Sequence, residues 1–187
     1  MCKIRQRIGI TVVDTKKNKL LGAVVWFAII VTLTAIFVFS NMASDASESV
    51  SAPLIDKTNE FVASHIVTDL GERPANDRHI LEEKVTVFVR KSAHAFEYFC
   101  LGFLVFLRFY LYGVDRFRSG GLAMCVCLLL AIADEYHQTF VPGRCGCLSD
   151  ALIDFCGIVV GILICLAILL IVSHKRERKA KRGLPAA

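Results

Sequence analysis

Charge is what this chain has little of: 21% of its 187 residues are Asp, Glu, Lys or Arg, against ~25% in an average soluble domain. With 55% hydrophobic residues alongside, that scarcity excludes a disordered chain and a coiled coil. Twelve Gly and four Pro are too few for a collagen-like fibre or a low-complexity linker. No internal repeat is evident, and no basic stretch is interleaved with stacking aromatics, so no nucleic-acid partner is expected. There is no HExxH-type metal signature, and no serine or cysteine stands in a recognisable nucleophile setting.

What the chain does have is one compact unit with four apolar runs too long for a water-soluble core. The first, residues 20–40, is 21 residues without a charge, about 31 Å as a helix and enough to cross a bilayer's hydrocarbon layer. Basic residues before it and small ones after it (Ala43, Ser44, Ala46) also fit a secretory signal, but the apolar stretch exceeds the ~7–15 residues of a signal core, which favours an uncleaved span. The others cover residues 92–112, 119–138 and 151–172.

Charge bias orients them. Residues 1–19 hold six bases against Asp14, and the tail 173–187 holds six against Glu177, so both termini are expected in the cytoplasm. Arg116 and Arg118 in the short link after the second span agree. Residues 41–91 instead carry nine acids against six bases, which places that loop outside. Within it, apolar residues from Leu54 to Leu70 recur at helical spacing, predicting an amphipathic surface helix, and a second one from about Asp77 runs into the second span. The expected fold is an all-α, integral membrane four-helix bundle with one or two amphipathic helices in its first extracellular loop.

The remaining charges gather at one depth. On the second span Arg90, Lys91, His94, Glu97 and Tyr98 fall within a wedge of about 120°. The third span ends in Asp134, Glu135, His137 and Gln138, with Asp134 and Gln138 sharing a face and Glu135 pointing about 100° away. On the fourth, Asp150, Asp154, Gly157 and Gly161 form one stripe, whose two glycines suit close approach of a neighbouring helix. Arg90, Lys91 and Arg144 are the nearest cations, and the Pro142–Gly143 turn would fold Arg144 back toward the helix ends. Ionisable residues inside a span cost ~2.5–3.5 kcal/mol each on insertion scales, so such a cluster marks either function or a polar network that holds the helices together.

Three motifs carry a resemblance. Arg-Lys-x-x-His-x-x-Glu-Tyr at 90–98, Asp-Glu-x-x-Gln-x-x-x-Pro-Gly-Arg at 134–144 and Ser-Asp-x-x-x-Asp-x-x-Gly at 149–157 resemble the VanZ-like family of small bacterial membrane proteins over residues 85–165. The resemblance implies an integral membrane protein related to one that confers low-level teicoplanin resistance. Carried over by motif, its functional positions are Lys91, His94, Glu97, Tyr98, Asp134, Glu135, Gln138, Arg144, Asp150 and Gly157. Asp154 stands where the family usually has Asn, adding an acid one turn below Asp150.

Five of the eight cysteines (Cys100, Cys125, Cys127, Cys156, Cys165) fall in spans as small apolar residues, while Cys145 and Cys147 lie outside and are open to pairing with a second chain. His94, Glu97, Asp150 and Asp154 could hold a divalent cation, but no dense ligand signature supports it, and neither metal nor cofactor is assigned. Two functions fit. In the first, Arg90, Lys91, His94, Glu97, Tyr98, Asp134, Glu135, Gln138, Arg144, Asp150 and Asp154 bind an amphiphile at the outer leaflet, a lipid-linked wall precursor or a lipoglycopeptide, with Lys91 and Arg144 on its anionic oxygens. The alternative is a membrane-embedded hydrolase or transferase, with His94, Glu97, Asp134 and Asp150 as candidate catalytic groups. Proton-coupled transport fits less well, because the inner halves of the spans carry no relay of acids.

Overall fold

The computed structural model of the chain describes residues 15–41, 57, 75–142 and 148–181. Four helices build the fold: α1 (Thr15–Asn41), α2 (Ala75–Leu111), α3 (Arg116–Gln138) and α4 (Leu148–Lys181). No strand occurs among the described residues. Each helix contains a stretch long and apolar enough to cross a membrane, namely Lys19–Asn41, Val87–Leu111, Arg116–Gln138 and Ser149–Lys179. The protein is an all-α four-helix membrane bundle. Helices are what such sequences must form in lipid, where every backbone N–H and C=O needs a partner within its own segment. The segment from Asp77 is the opening part of α2, continuous with the span over 37 residues. The surface helix expected within residues 54–70 lies outside the described residues, as do Arg144, Cys145 and Cys147.

Successive helices alternate in direction. A tight turn joins α2 to α3, with Gly113 at φ 90°, a conformation that side chains with a Cβ rarely adopt. Asp115 then caps α3 by accepting from the Arg118 backbone N–H at 3.1 Å. The α1 C-terminus meets that of α3, through Ser40 and Asp134, and the start of α4 meets the start of the membrane span within α2 through Asp150 and Lys91. Thus α2 and α4 run parallel, and α2 packs on all three other helices, most extensively on α4.

The bundle is assembled inside out relative to a soluble one. Phe27, Leu129, Leu152 and Phe37 are exposed on its flanks, as lipid-facing side chains are. Lipid tails are as apolar as leucine, so burial drives little and close packing must hold the helices together. Two devices provide it. The buried face of α3 reads Ser119, Ala123, Cys127, Ala131, a stripe of small residues spaced by four that lets Tyr98, Leu101, Phe106 and Ile158 fill the centre. Between α2 and α4 the backbones themselves touch: a Cβ at Gly157 would collide with the Ala95 carbonyl, and one at Gly161 with the Phe99 carbonyl. On the other side, a Cβ at Gly102 would sit 2.7 Å from the Ile158 carbonyl oxygen. The inward stripe expected for Gly157 and Gly161 is this contact, to which α2 contributes Gly102.

A single methyl group should therefore separate α2 from α4. Gly161→Ala should lower stability by ~1–3 kcal/mol, as overpacking does, whereas Gly121→Ala, with open space around it, should stay within ~0.5 kcal/mol. Thermal unfolding of the two purified variants in the same detergent checks the contrast.

Candidate functional site

All four helices bring polar side chains to one end of the bundle. The first span turns of α2 place Lys91, His94, Glu97 and Tyr98 there because these positions share a wedge of the helix. The last turn of α3 supplies Asp134, Glu135, His137 and Gln138, and the first turns of α4 supply Ser149, Asp150 and Asp154. Spacing on three helices anticipated this convergence. The contribution of α1 was not anticipated.

That contribution is Ser40, which is fully buried and donates its hydroxyl to Asp134 Oδ2 at 2.8 Å. Gln138 donates to the same oxygen at 2.9 Å and lies 3.3 Å from the Ser40 hydroxyl. Asp134 is thus held by two neutral donors, where a cation was expected. Next to it, Asn41 Oδ1 lies 3.0 Å from His137 Nε2, and Phe37 stacks on the His137 ring at 5.6 Å. Ser40 sits at the tail of an uninterrupted apolar run, and a lone serine there is an ordinary residue for a membrane helix; only the opposing acid reveals its role.

Lys91 Nζ donates to Asp150 Oδ1 at 2.5 Å, and Ser149 donates to the same atom at 3.2 Å. Both partners of the ion pair remain about a third exposed, so its worth is that of a rim pair, ~0–1 kcal/mol. Deeper in, Asp154 is 2% and Tyr98 1% exposed. Tyr98 stands among Glu97, Asp134, Glu135 and Asp154, and Asp154 among these acids and Asp150. Tyr98 is therefore a buried packing residue whose ring lies in the carboxylate cluster. His94 Nδ1 lies 3.6 Å from Glu97 Oε2, an ion-pair separation with both side chains largely buried. Arg90, beside Lys91, is half-buried.

Glu135 needs a correction of emphasis. The spacing turned it about 100° from the Asp134–Gln138 face, yet it is buried, and less exposed than Asp134. The reason is the small-residue stripe of α3, which continues from Ala131 to Glu135 by the same step of four. Glu135 is on the interior face, and Asp134 is on the flank facing α1. Cys100, Cys125, Cys127, Cys156 and Cys165 are free thiols. Among the described residues no three His, Cys, Asp or Glu side chains are grouped to hold a metal ion.

With Lys91 committed to Asp150, the described part of the site is rich in hydrogen-bond acceptors. It suits a partner that donates through hydroxyl or amino groups better than one that presents only anionic oxygens.

A family model described as VanZ/LLP1 matches residues 25–171, from the second turn of the α1 span to deep within α4. The chain belongs to the VanZ/LLP1 family. The match extends beyond the three motifs to take in α1, the helix that supplies Ser40. Neither the curated proteins nor the solved structures compared with the chain gave a match.

The VanZ/LLP1 fold thus joins α1 to the site through one shared carboxylate. Ser40→Ala and Gln138→Ala should each cost ~0.5–1.5 kcal/mol, and the double variant should depart from the sum because both donors act on Asp134. A double-mutant cycle in mixed-micelle unfolding measures that coupling.

Proposed function

We propose that this VanZ/LLP1 protein binds an amphiphilic component of the bacterial envelope at the outer leaflet and so contributes to glycopeptide resistance, teicoplanin in particular. The basic segments at residues 1–19 and 173–187 support cytoplasmic termini, which would put the polar site on the outer side of the cell membrane. The observation that carries the reading is the convergence of Glu97, Asp134, Glu135, Asp150 and Asp154 at one end of a bundle whose flanks are apolar. A ligand with its tail among the exposed phenylalanines and its hydroxyl or amino groups over these acceptors would satisfy both surfaces. Lipid-linked wall precursors and lipoglycopeptides have that general form. Lys91 and Arg90 at the rim would meet the ligand's anionic groups, Lys91 at the expense of its pair with Asp150.

A second reading, a membrane-embedded hydrolase or transferase, draws support from the His94–Glu97 pair. A carboxylate beside an imidazole can orient it as a general base toward water or a substrate hydroxyl. In an enzyme, His94→Ala and His94→Gln would both abolish turnover of the envelope lipid. In a binding site, Gln would retain part of the function through its hydrogen bonds.

Expression in a glycopeptide-susceptible host tests the first reading. The parent chain should raise teicoplanin tolerance, and Asp150→Asn, at equal membrane levels, should reduce the gain. An unchanged susceptibility under conditions where another VanZ/LLP1 protein raises it sinks the resistance assignment for this chain.

A further inference from the structure

The opposite end of the bundle carries an arrangement that the polar site does not use. Arg108 lies in the last turn of α2, its guanidinium 3.4 Å from the centroid of the Tyr112 ring and 5.5 Å from that of Trp26 on α1. Rings engage the face of a guanidinium and leave its in-plane N–H groups to be satisfied elsewhere. Among the described residues, the buried Nε of Arg108 has no hydrogen-bond partner, and no carboxylate pairs with the side chain.

The first helix approaches those donors through a glycine. Gly22 of α1 faces the guanidinium, and a Cβ there would touch Nη1, Cζ and Nη2 at 3.7–3.9 Å. The guanidinium therefore lies against the α1 backbone at Gly22, at the contact distance of one methyl group. Lys19 precedes Gly22 by one turn on the same face of α1. Of the described acids near this end, Asp115 accepts from the Arg118 backbone and lies 3.2 Å from its Nε, while Glu177 stands among Lys175, Arg176, Arg178 and Lys179. A cation stacked on aromatic rings, with a buried unpartnered donor and few described carboxylates nearby, calls for an anion. Arg108 stands three residues before the end of its span at Leu111, with Tyr112 just beyond it, within reach of lipid headgroups for a long arginine side chain.

We propose that Arg108, stacked with Trp26 and Tyr112 beside Gly22, binds the phosphate of an anionic phospholipid in the leaflet at this end of the bundle. The planar fork of arginine matches two phosphate oxygens, and the lipid's chains would lie along the exposed flank of α1. This site is independent of the polar site and of its function.

Trp26 is the only tryptophan in the chain and is 45% exposed, so its fluorescence reports on the lipid beside Arg108. The full chain is reconstituted in phosphatidylcholine vesicles containing a minor fraction of either brominated phosphatidylglycerol or brominated phosphatidylcholine. Brominated phosphatidylglycerol should quench Trp26 more, corresponding to about fivefold local enrichment, the ratio equivalent to ~1 kcal/mol per interfacial basic residue. Arg108→Gln, which leaves Lys19, Arg116 and Arg118 in place, should remove most of that excess, and Arg108→Lys should fall between. Equal ratios in the parent and Arg108→Gln overturn the proposal, because the enrichment is then diffuse attraction to the basic ends. If Arg108→Gln loses its helical circular dichroism, Arg108→Lys becomes the comparison, and a ratio matching the parent's overturns it. Loss of the parent's excess on adding inorganic phosphate also overturns it, in favour of a soluble anion.

Discussion

The structure depends on the backbone contact between α2 and α4. In a bilayer nothing pushes apolar helices together merely because they are apolar, so a defined interface needs surfaces that fit closely. Gly102, Gly157 and Gly161 supply one, since each would place a Cβ against a carbonyl of the facing helix. Such a contact sets both the rotation and the axial register of two parallel helices. Once Gly157 lies on Ala95, Asp154 one turn away is turned into the bundle and Asp150 is brought against Lys91. The acids of α4 and the polar wedge of α2 thus meet because the glycines leave no other alignment.

The other two helices close the arrangement from the sides. The small-residue face of α3 brings Glu135 to the interior and leaves Asp134 on the flank, where Ser40 of α1 reaches it. Tyr98 links the two levels: it belongs to the apolar core by burial and to the carboxylate cluster by its neighbours. A shift in any of the four helices would be felt at these carboxylates, which makes the cluster a consequence of packing as much as of local sequence.

The sequence showed much of this because membrane spans announce themselves. Four apolar runs, the wedge from Arg90 to Tyr98 and the stripe from Asp150 to Gly161 follow from length and a ~100° step alone. Partnership was harder to see. Ser40 and Gly102 are small residues in apolar runs, and small residues are common in membrane helices, so nothing distinguishes them until the facing helix is in place. Glu135 was legible in principle through the four-residue step from Ser119 to Ala131, but the spacing was taken from Asp134, which lies off that stripe. Arg108 looked like one more basic residue near a span end; its stacking depends on Trp26, more than eighty positions away along the chain, which no local pattern reveals.

Balance of donors and acceptors bears on what the cluster is for. A network selected only to lock helices does best when every buried acceptor meets a donor of the protein, since an unsatisfied charge in a poorly solvated site is costly. Around Asp134 that condition is met by Ser40 and Gln138, and such a pairing explains how α1 is fixed. Around it, Glu97, Glu135, Asp150 and Asp154 stand near the described cations Arg90 and Lys91 and the ionisable His94, with Lys91 paired to Asp150 at the rim. Hydrogen bonds of this kind fix helices in lipid, and the acids they hold at one end are the acceptors on which the proposed binding reading rests.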